Sequence, residues 1–171
     1  MMPYTPQQIA NFFLDRAQAE GRQLDQLKLM KLVYIAYGWV LALTGRRLFE
    51  DPIRAWKHGP VMRTLYDEFK RFRSGPITAH ATEFDLDTGE QMVPTIPAND
   101  EETSMILDKV WAAYRGFSGW SLRNKTHEPD TPWTTTYYEQ GESAVIPDGL
   151  IASHFRTVIR KLLDEVRAAG A

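Results

Sequence analysis

The chain has no cysteine in its 171 residues. That absence removes disulfides, thiolate nucleophiles and thiolate metal sites together, and it fits a reducing compartment. Histidine is scarce. His58, His80, His127 and His154 are the only four, and no two have the spacing of a zinc-binding helix. His127-Glu128 with Asp130 is the nearest approach to a carboxylate–histidine group, and it lacks further converging ligands. Glu83, Asp85, Asp87 and Glu90 surround Gly89 without the ligand order of a calcium loop, so a solvated hairpin tip is expected there. A glycine-rich phosphate loop is missing, and no serine or threonine sits in a nucleophile elbow. No cofactor, no metal and no enzymatic activity are therefore expected. An excess of one charge is missing too: the net charge is −2, which gives no general attraction to polyanions. The opening Met1-Met2-Pro3-Tyr4-Thr5-Pro6 lacks a basic and then apolar stretch, so no export signal is expected and the reading is cytoplasmic. Repeats, low-complexity tracts and linkers are absent, which makes residues 1–171 one expected domain.

What is present is a long apolar run from Leu24 to Leu43. A helix that is apolar on nearly every side is a buried helix. The stretch from Leu32 to Leu43 is too short for a bilayer, so no membrane partner is expected. Lys28 and Lys31 are the only basic residues inside the run, three apart and on one face, which predicts an open edge near the helix start.

Other helices gather around it. Thr5-Pro6-Gln7-Gln8 reads as a capping box with proline at the first helical position, followed by the stripe Ile9, Phe12, Phe13 and Ala17 and a stop at Gly21. Asp25 caps the central helix and Thr44-Gly45 ends it. Leu48 to Lys57 alternates like an extended piece. Gly59-Pro60 is expected to break it and start a third helix with a stripe of Val61, Met62, Leu65, Tyr66, Phe69 and Phe72, stopped by Ser74-Gly75-Pro76. Ile77 to Asp100 predicts a small β-hairpin or irregular excursion turning near Asp87 to Gly89. Asn99 or Asp100 caps a fourth helix through Ile106, Leu107, Val110, Trp111 and Tyr114. Short helices follow over Ser118 to Thr126 and from Pro132 to about Tyr138. Pro147-Asp148 starts an amphipathic last helix reaching about residue 168. The fold class is mainly α: a compact multi-helix domain around a buried central helix.

Two binding classes remain. Arg46, Arg47, Arg54, Lys57, His58, Arg63, Lys70, Arg71 and Arg73 make a locally basic region with Trp56 and Tyr66 as stacking surfaces, but Asp51, Asp67 and Glu68 interrupt it. Nucleic acid is therefore the secondary expectation, in the form of a DNA-contacting regulator of its own operon. Trp56, Trp120 and Trp133 lie in or beside irregular segments, where binding surfaces are built, although for each tryptophan taken alone core packing is the first expectation.

One ordered series of residues is specific. It begins at Leu27-Lys28-Leu29-Met30-Lys31-Leu32-Val33-Tyr34 and runs through Gly38-Trp39, Leu48-Phe49, Pro52-Ile53, Ala55-Trp56-Lys57-His58-Gly59-Pro60-Val61 and Tyr66. It resumes at Leu122, Thr126-His127, Pro132-Trp133 and Ile146-Pro147. The series resembles the Panacea domain family, antitoxin domains that include the SocA-like antitoxins and many phage-associated proteins. The resemblance covers roughly residues 5–155. It implies a toxin–antitoxin system in which this chain neutralises a cognate protein toxin, usually encoded beside it, by direct contact. Such domains pair with unrelated toxin types. In the SocA-like branch the antitoxin is a proteolytic adaptor that presents its toxin, a blocker of the replicative sliding clamp, to ClpX and the ClpXP protease.

The same series places the expected contact surface. Trp56, His58 and Val61, on the segment around Gly59-Pro60, would meet a loop carrying Thr126, His127 and Trp133, near the Lys28 and Lys31 end of the central helix. The competing reading is that these residues only lock loops onto the core.

Overall fold

The computed structural model describes residues 3–170. Met1 and Met2, which open the segment read above for an export signal, lie outside the described residues, as does Ala171. The elements run α1 (Pro6–Ala19), α2 (Gln26–Thr44), β1 (Arg54–Trp56), β2 (Gly59–Val61), α3 (Arg63–Phe69), a 3₁₀ turn (Lys70–Phe72), β3 (Glu83–Phe84), β4 (Gln91–Met92), α4 (Glu101–Tyr114), α5 (Gly119–Thr126), α6 (Pro132–Gln140) and α7 (Asp148–Ala169). The class is mainly α with two small antiparallel strand pairs, as expected.

The helix ends follow local chemistry. Thr5 and Gln8 form the reciprocal capping box of α1: the Gln8 N–H donates to Thr5 Oγ1 at 3.3 Å and the Thr5 N–H to Gln8 Oε1 at 2.9 Å. Asp25 Oδ1 accepts from the Lys28 N–H at 2.8 Å at the start of α2. Gly45, with φ of 73°, closes α2 in the left-handed conformation that a side chain resists. Asp100, Ser118 and Thr131 cap α4, α5 and α6 in the same way.

α2 is the organiser. Leu29 to Leu41 are all buried, and α1, α4, α5, α7 and the β1–β2 pair pack around it. At 19 residues α2 is long and apolar enough to cross a bilayer by composition, so the length argument above does not hold for it; 72% of its apolar window is instead buried inside the fold. Gly38 is the point of closest approach to α7. A Cβ there would lie 2.0 Å from the Phe155 ring, so the absence of a side chain is what lets the two helices meet.

The structure corrects the third helix. Gly59-Pro60 does not start it; Gly59, Pro60 and Val61 form β2, which pairs antiparallel with β1 in the register Arg54↔Val61, Ala55↔Pro60 and Trp56↔Gly59. Lys57 and His58 are the turn, and α3 begins only at Arg63, after Met62. Proline is tolerated inside this strand because Ala55, opposite it, bonds elsewhere. The Ala55 N–H donates to the Ala144 carbonyl at 2.8 Å, and the Ala55 carbonyl accepts from the Ser143 N–H at 2.8 Å. The missing Pro60 N–H therefore leaves no acceptor unsatisfied.

The second hairpin turns where the sequence places it. Asp85 Oδ1 accepts from the Asp87 and Thr88 N–H groups, and Gly89 takes φ of 72°. Asn11, wholly buried on α1, pins its base: Nδ2 donates to the carbonyls of Ala81 and Pro94, and Oδ1 accepts from the Ala81 N–H. No sequence pattern marks Asn11, because its partners are 70 and 83 residues away.

Candidate partner-binding site

Three side chains from three helices converge on the β1–β2 turn, and each reaches a main-chain carbonyl. Trp133 Nε1, on α6, donates to the Trp56 carbonyl at 2.7 Å. His127, the C-cap of α5, hydrogen-bonds the main chain of His58. Lys31 Nζ, on α2, donates to the Pro60 carbonyl at 3.3 Å. Residues 56, 58 and 60 alternate, so their carbonyls are held at every second residue through the tight turn. Gly59 sits between them with φ of 119°. A Cβ at Gly59 would lie 2.8 Å from Lys31 Cε and 3.1 Å from Thr126 Oγ1, so both backbone conformation and space demand glycine.

The helices that bring these groups are themselves fixed locally. Thr126 Oγ1 donates to the Arg123 carbonyl at 2.7 Å, and Thr131 Oγ1 to the Thr126 carbonyl at 2.7 Å. These bonds set the turn from α5 into α6. The His127 ring then stacks on Trp133 with centroids 3.7 Å apart, and Tyr137 also stacks on the indole at 4.7 Å.

Placement of the expected site residues is now plain. Trp56, His58, Val61, Thr126, His127, Trp133 and Lys31 come together in one region. Lys31, Val61, Thr126 and Trp133 are buried, and Trp56 and His127 are half-buried. His58 is exposed at the hairpin tip, beside exposed Lys57. Lys28 goes elsewhere: its Nζ donates to the Arg115 carbonyl at 2.5 Å, after α4. The open edge expected at Lys28 and Lys31 is thus closed, because the hairpin and α5 lie over Lys31, which is only 1% exposed.

Electrostatics mark the same spot. Burial pushes the Lys31 amine down from its ordinary value to about 7, and the nearby Arg123 guanidinium adds to the effect. Burial, then Arg123, lowers His127 to about 4. The Nε2 atom of His127 and the Nε of Arg123 are buried without a hydrogen-bond partner. Arg123 is the residue that the sequence reading missed. It lies four before His127 and three before Thr126 on α5, which puts all three on one helix face, and that spacing is the signal that could have found it.

Around the clamped turn stand exposed aromatic rings. Trp120 is 62% exposed, with the Arg123 guanidinium 5.3 Å over its ring, and Tyr138 is 75% exposed, edge-on to Trp133. Trp56 packs edge-on against Tyr66 at 5.1 Å. Part of the basic stretch read above as a stacking and phosphate surface is ion-paired: Arg46 with Glu102, Arg47 with Glu50 and Asp148, and Arg63 and Lys70 with Asp67, whereas Arg54, Lys57, Arg71 and Arg73 pair with no carboxylate among the described residues. A surface depression of about 460 Å³ lined by α4 residues such as Met105 and Lys109 contains none of these groups. Among the described residues no three His, Asp or Glu side chains gather as a metal site.

Comparison with known proteins places the chain in a family. The chain is 30% identical over 125 residues to the protein named Antitoxin SocA of Caulobacter vibrioides (strain NA1000 / CB15N), covering 73% of this chain and 66% of that relative. The chain thus spans just under two-thirds of its relative's length. No solved structure matches it. The family model for the Antitoxin SocA-like, Panacea domain matches residues 29–134, a span that holds Lys31, the clamped hairpin, Arg123, His127 and Trp133. With that match over more than half of its length, the chain belongs to the SocA-like Panacea domain family.

Proposed function

We propose that this protein is an antitoxin that neutralises a cognate protein toxin by non-covalent contact through the surface around the Lys57–His58 turn. The observation that carries the reading is the clamp itself. Trp133, His127 and Lys31 hold three alternate carbonyls of one short turn, while the side chains of Lys57 and His58 at its tip are exposed. A loop fixed in advance loses little conformational freedom on binding, which is what a contact surface needs. Exposed Trp120 and Tyr138 beside it supply the kind of aromatic anchors that dominate interface energetics. Buried Val61, Thr126 and Trp133 act as its frame and not as its contacts.

The local neutralisation of Arg46, Arg47 and Lys70 supports a protein partner over DNA. A standard protein interface buries about 1,600 Å² and rests on a few such anchors. The test is a binding measurement against the product of the neighbouring toxin reading frame. Trp120→Ala and His58→Ala should each weaken the complex about tenfold or more, with unchanged melting temperature. Unchanged binding in both variants, or binding and melting that fall together, would overturn the assignment. Delivery of the toxin to ClpXP is a further step of the same reading and has its own test below.

A further inference from the structure

Lys31 and Arg123 are cationic neighbours that pair with no carboxylate among the described residues. Every influence on the Lys31 amine is burial or Arg123, and the charges that act on His127 are Arg123, Lys31 and His58. Half-buried Arg16 is matched by Asp108, and half-buried Arg54 donates to the Ser143 carbonyl at 3.0 Å; exposed Arg47 and Arg115 pair with Asp148 and Glu20. An ammonium group can donate three hydrogen bonds, and Lys31 makes one, to Pro60. Arg123 makes a single 3.4 Å bond to Asn124 and leaves its Nε buried and unpartnered. With the other ring nitrogen of His127 engaged by the His58 main chain, its neutral Nε2 presents a buried lone pair that also lacks a partner. Buried polar groups are nearly always satisfied, and like charges are not left together without a counter-ion.

We propose that the Lys31–Arg123–His127 cluster beneath the Trp56–Pro60 turn is a receptor for a carboxylate of the partner protein, with a donor N–H beside that carboxylate. The carboxylate would take the Arg123 fork and the field of Lys31, and the adjacent main-chain N–H would satisfy His127 Nε2. That pairing of groups belongs to an acidic residue of a polypeptide, either through its side chain or at a C-terminus. A nucleic-acid phosphodiester offers only acceptors and leaves the His127 lone pair unmet, and inorganic phosphate, which can donate through its P–OH, brings no main-chain N–H beside its charge. Arg123 is held by no carboxylate among the described residues, only by its 3.4 Å bond to exposed Asn124 and its place over the exposed Trp120 ring, so rotation of the Arg123–Trp120 pair is the movement that admits the ligand. The inference rests on the reading of this face as the partner-binding surface, and it names the group that the partner brings.

The test uses the full chain without any toxin. Amide shifts of the ¹⁵N-labelled protein are followed while it is titrated with acetate, with acetyl-Ala-Glu-Ala-amide (a side-chain carboxylate), with acetyl-Ala-Ala-Ala (a C-terminal carboxylate) and with inorganic phosphate. Chloride at matched ionic strength is the reference. Saturable shifts of Gly59, Arg123 and His127 are expected with the peptides, and whichever peptide binds tighter identifies the source. Arg123→Gln should weaken that binding about tenfold or more, and Arg123→Lys, which keeps the charge and loses the fork, by less. Melting curves of both variants confirm that they are folded. The proposal is overturned by shifts no larger than with chloride, by equal affinity in Arg123→Gln, or by phosphate binding more tightly than either peptide. Because no toxin is present, a failure here leaves the toxin-binding measurement with Trp120→Ala and His58→Ala to decide the antitoxin reading separately.

Discussion

Replacing Lys31 by methionine should make the protein more stable, and by an amount that depends on pH. The side chain is 1% exposed, and its single hydrogen bond goes to the Pro60 carbonyl. In the unfolded chain the amine carries its proton up to pH 10.5; in the folded chain it loses it near 7. Between these limits the unfolded state binds more protons, so wild-type stability rises with pH from about 7 to about 10.5 and is lowest below 7. The gap from 10.5 to about 7 corresponds to about 5 kcal/mol at most, at about 1.4 kcal/mol per pH unit. Methionine has nearly the same length and no charge, so Lys31→Met removes that cost and gives up one hydrogen bond of about 1 kcal/mol. The assay is urea unfolding of both proteins at pH 6, 7.5, 9 and 10. With a slope of about 2–3 kcal/mol per molar urea, the variant's midpoint should exceed wild type by about 1 M or more at pH 6. The difference should shrink steadily and vanish or reverse by pH 10. His127, already neutral above pH 7, contributes nothing to the difference in that window. A midpoint difference that stays constant from pH 6 to 10 would show that Lys31 keeps its proton in the fold and would refute the argument.

Three further outcomes can be checked. Gly38→Ala places a methyl group against the Phe155 ring, 2.0 Å from its nearest carbon, and should cost about 1–3 kcal/mol in unfolding free energy; Phe155→Leu in the same chain should recover part of it, whereas additive losses in the double variant would mean the two do not meet. His127, lowered to about 4 chiefly by burial, should show a neutral imidazole by NMR down to pH 5; its folded value lies below its unfolded one, so its share of stability is lost as pH falls from about 6.5 through 4, and a titration midpoint above 6 would contradict the packing described. Degradation of the purified toxin by ClpXP should be accelerated by this protein and slowed again by Trp120→Ala; an unchanged half-life with and without the protein removes the adaptor step and leaves neutralisation by contact.

The helices were legible in the sequence because what ends a helix lies within a few residues of it. The Thr5–Gln8 box, the Asp25 cap, Gly45 and the caps at Asp100, Ser118 and Thr131 are all contacts of short range, and the apolar run of α2 announces its own burial. The third helix was misplaced for a related reason. Gly-Pro reads locally as a break before a helix, and only the Ala144 and Ser143 partners of Ala55, nearly ninety positions downstream, make a proline-bearing strand acceptable there.

The site divides along the same line. The ordered residues from Leu27 to Pro147 pointed to the family, and by themselves they determined a mainly helical antitoxin-like domain. They did not say which of those residues face outward. Only the tertiary structure decided that Lys31, His127 and Trp133 turn inward to hold the carbonyls of residues 60, 58 and 56, that Lys28 leaves for Arg115, and that Arg123 joins the cluster. Those contacts span 29 and 77 residues of sequence, beyond the reach of any periodicity, and a lysine on a helix face looks the same in sequence whether water or a hairpin covers it.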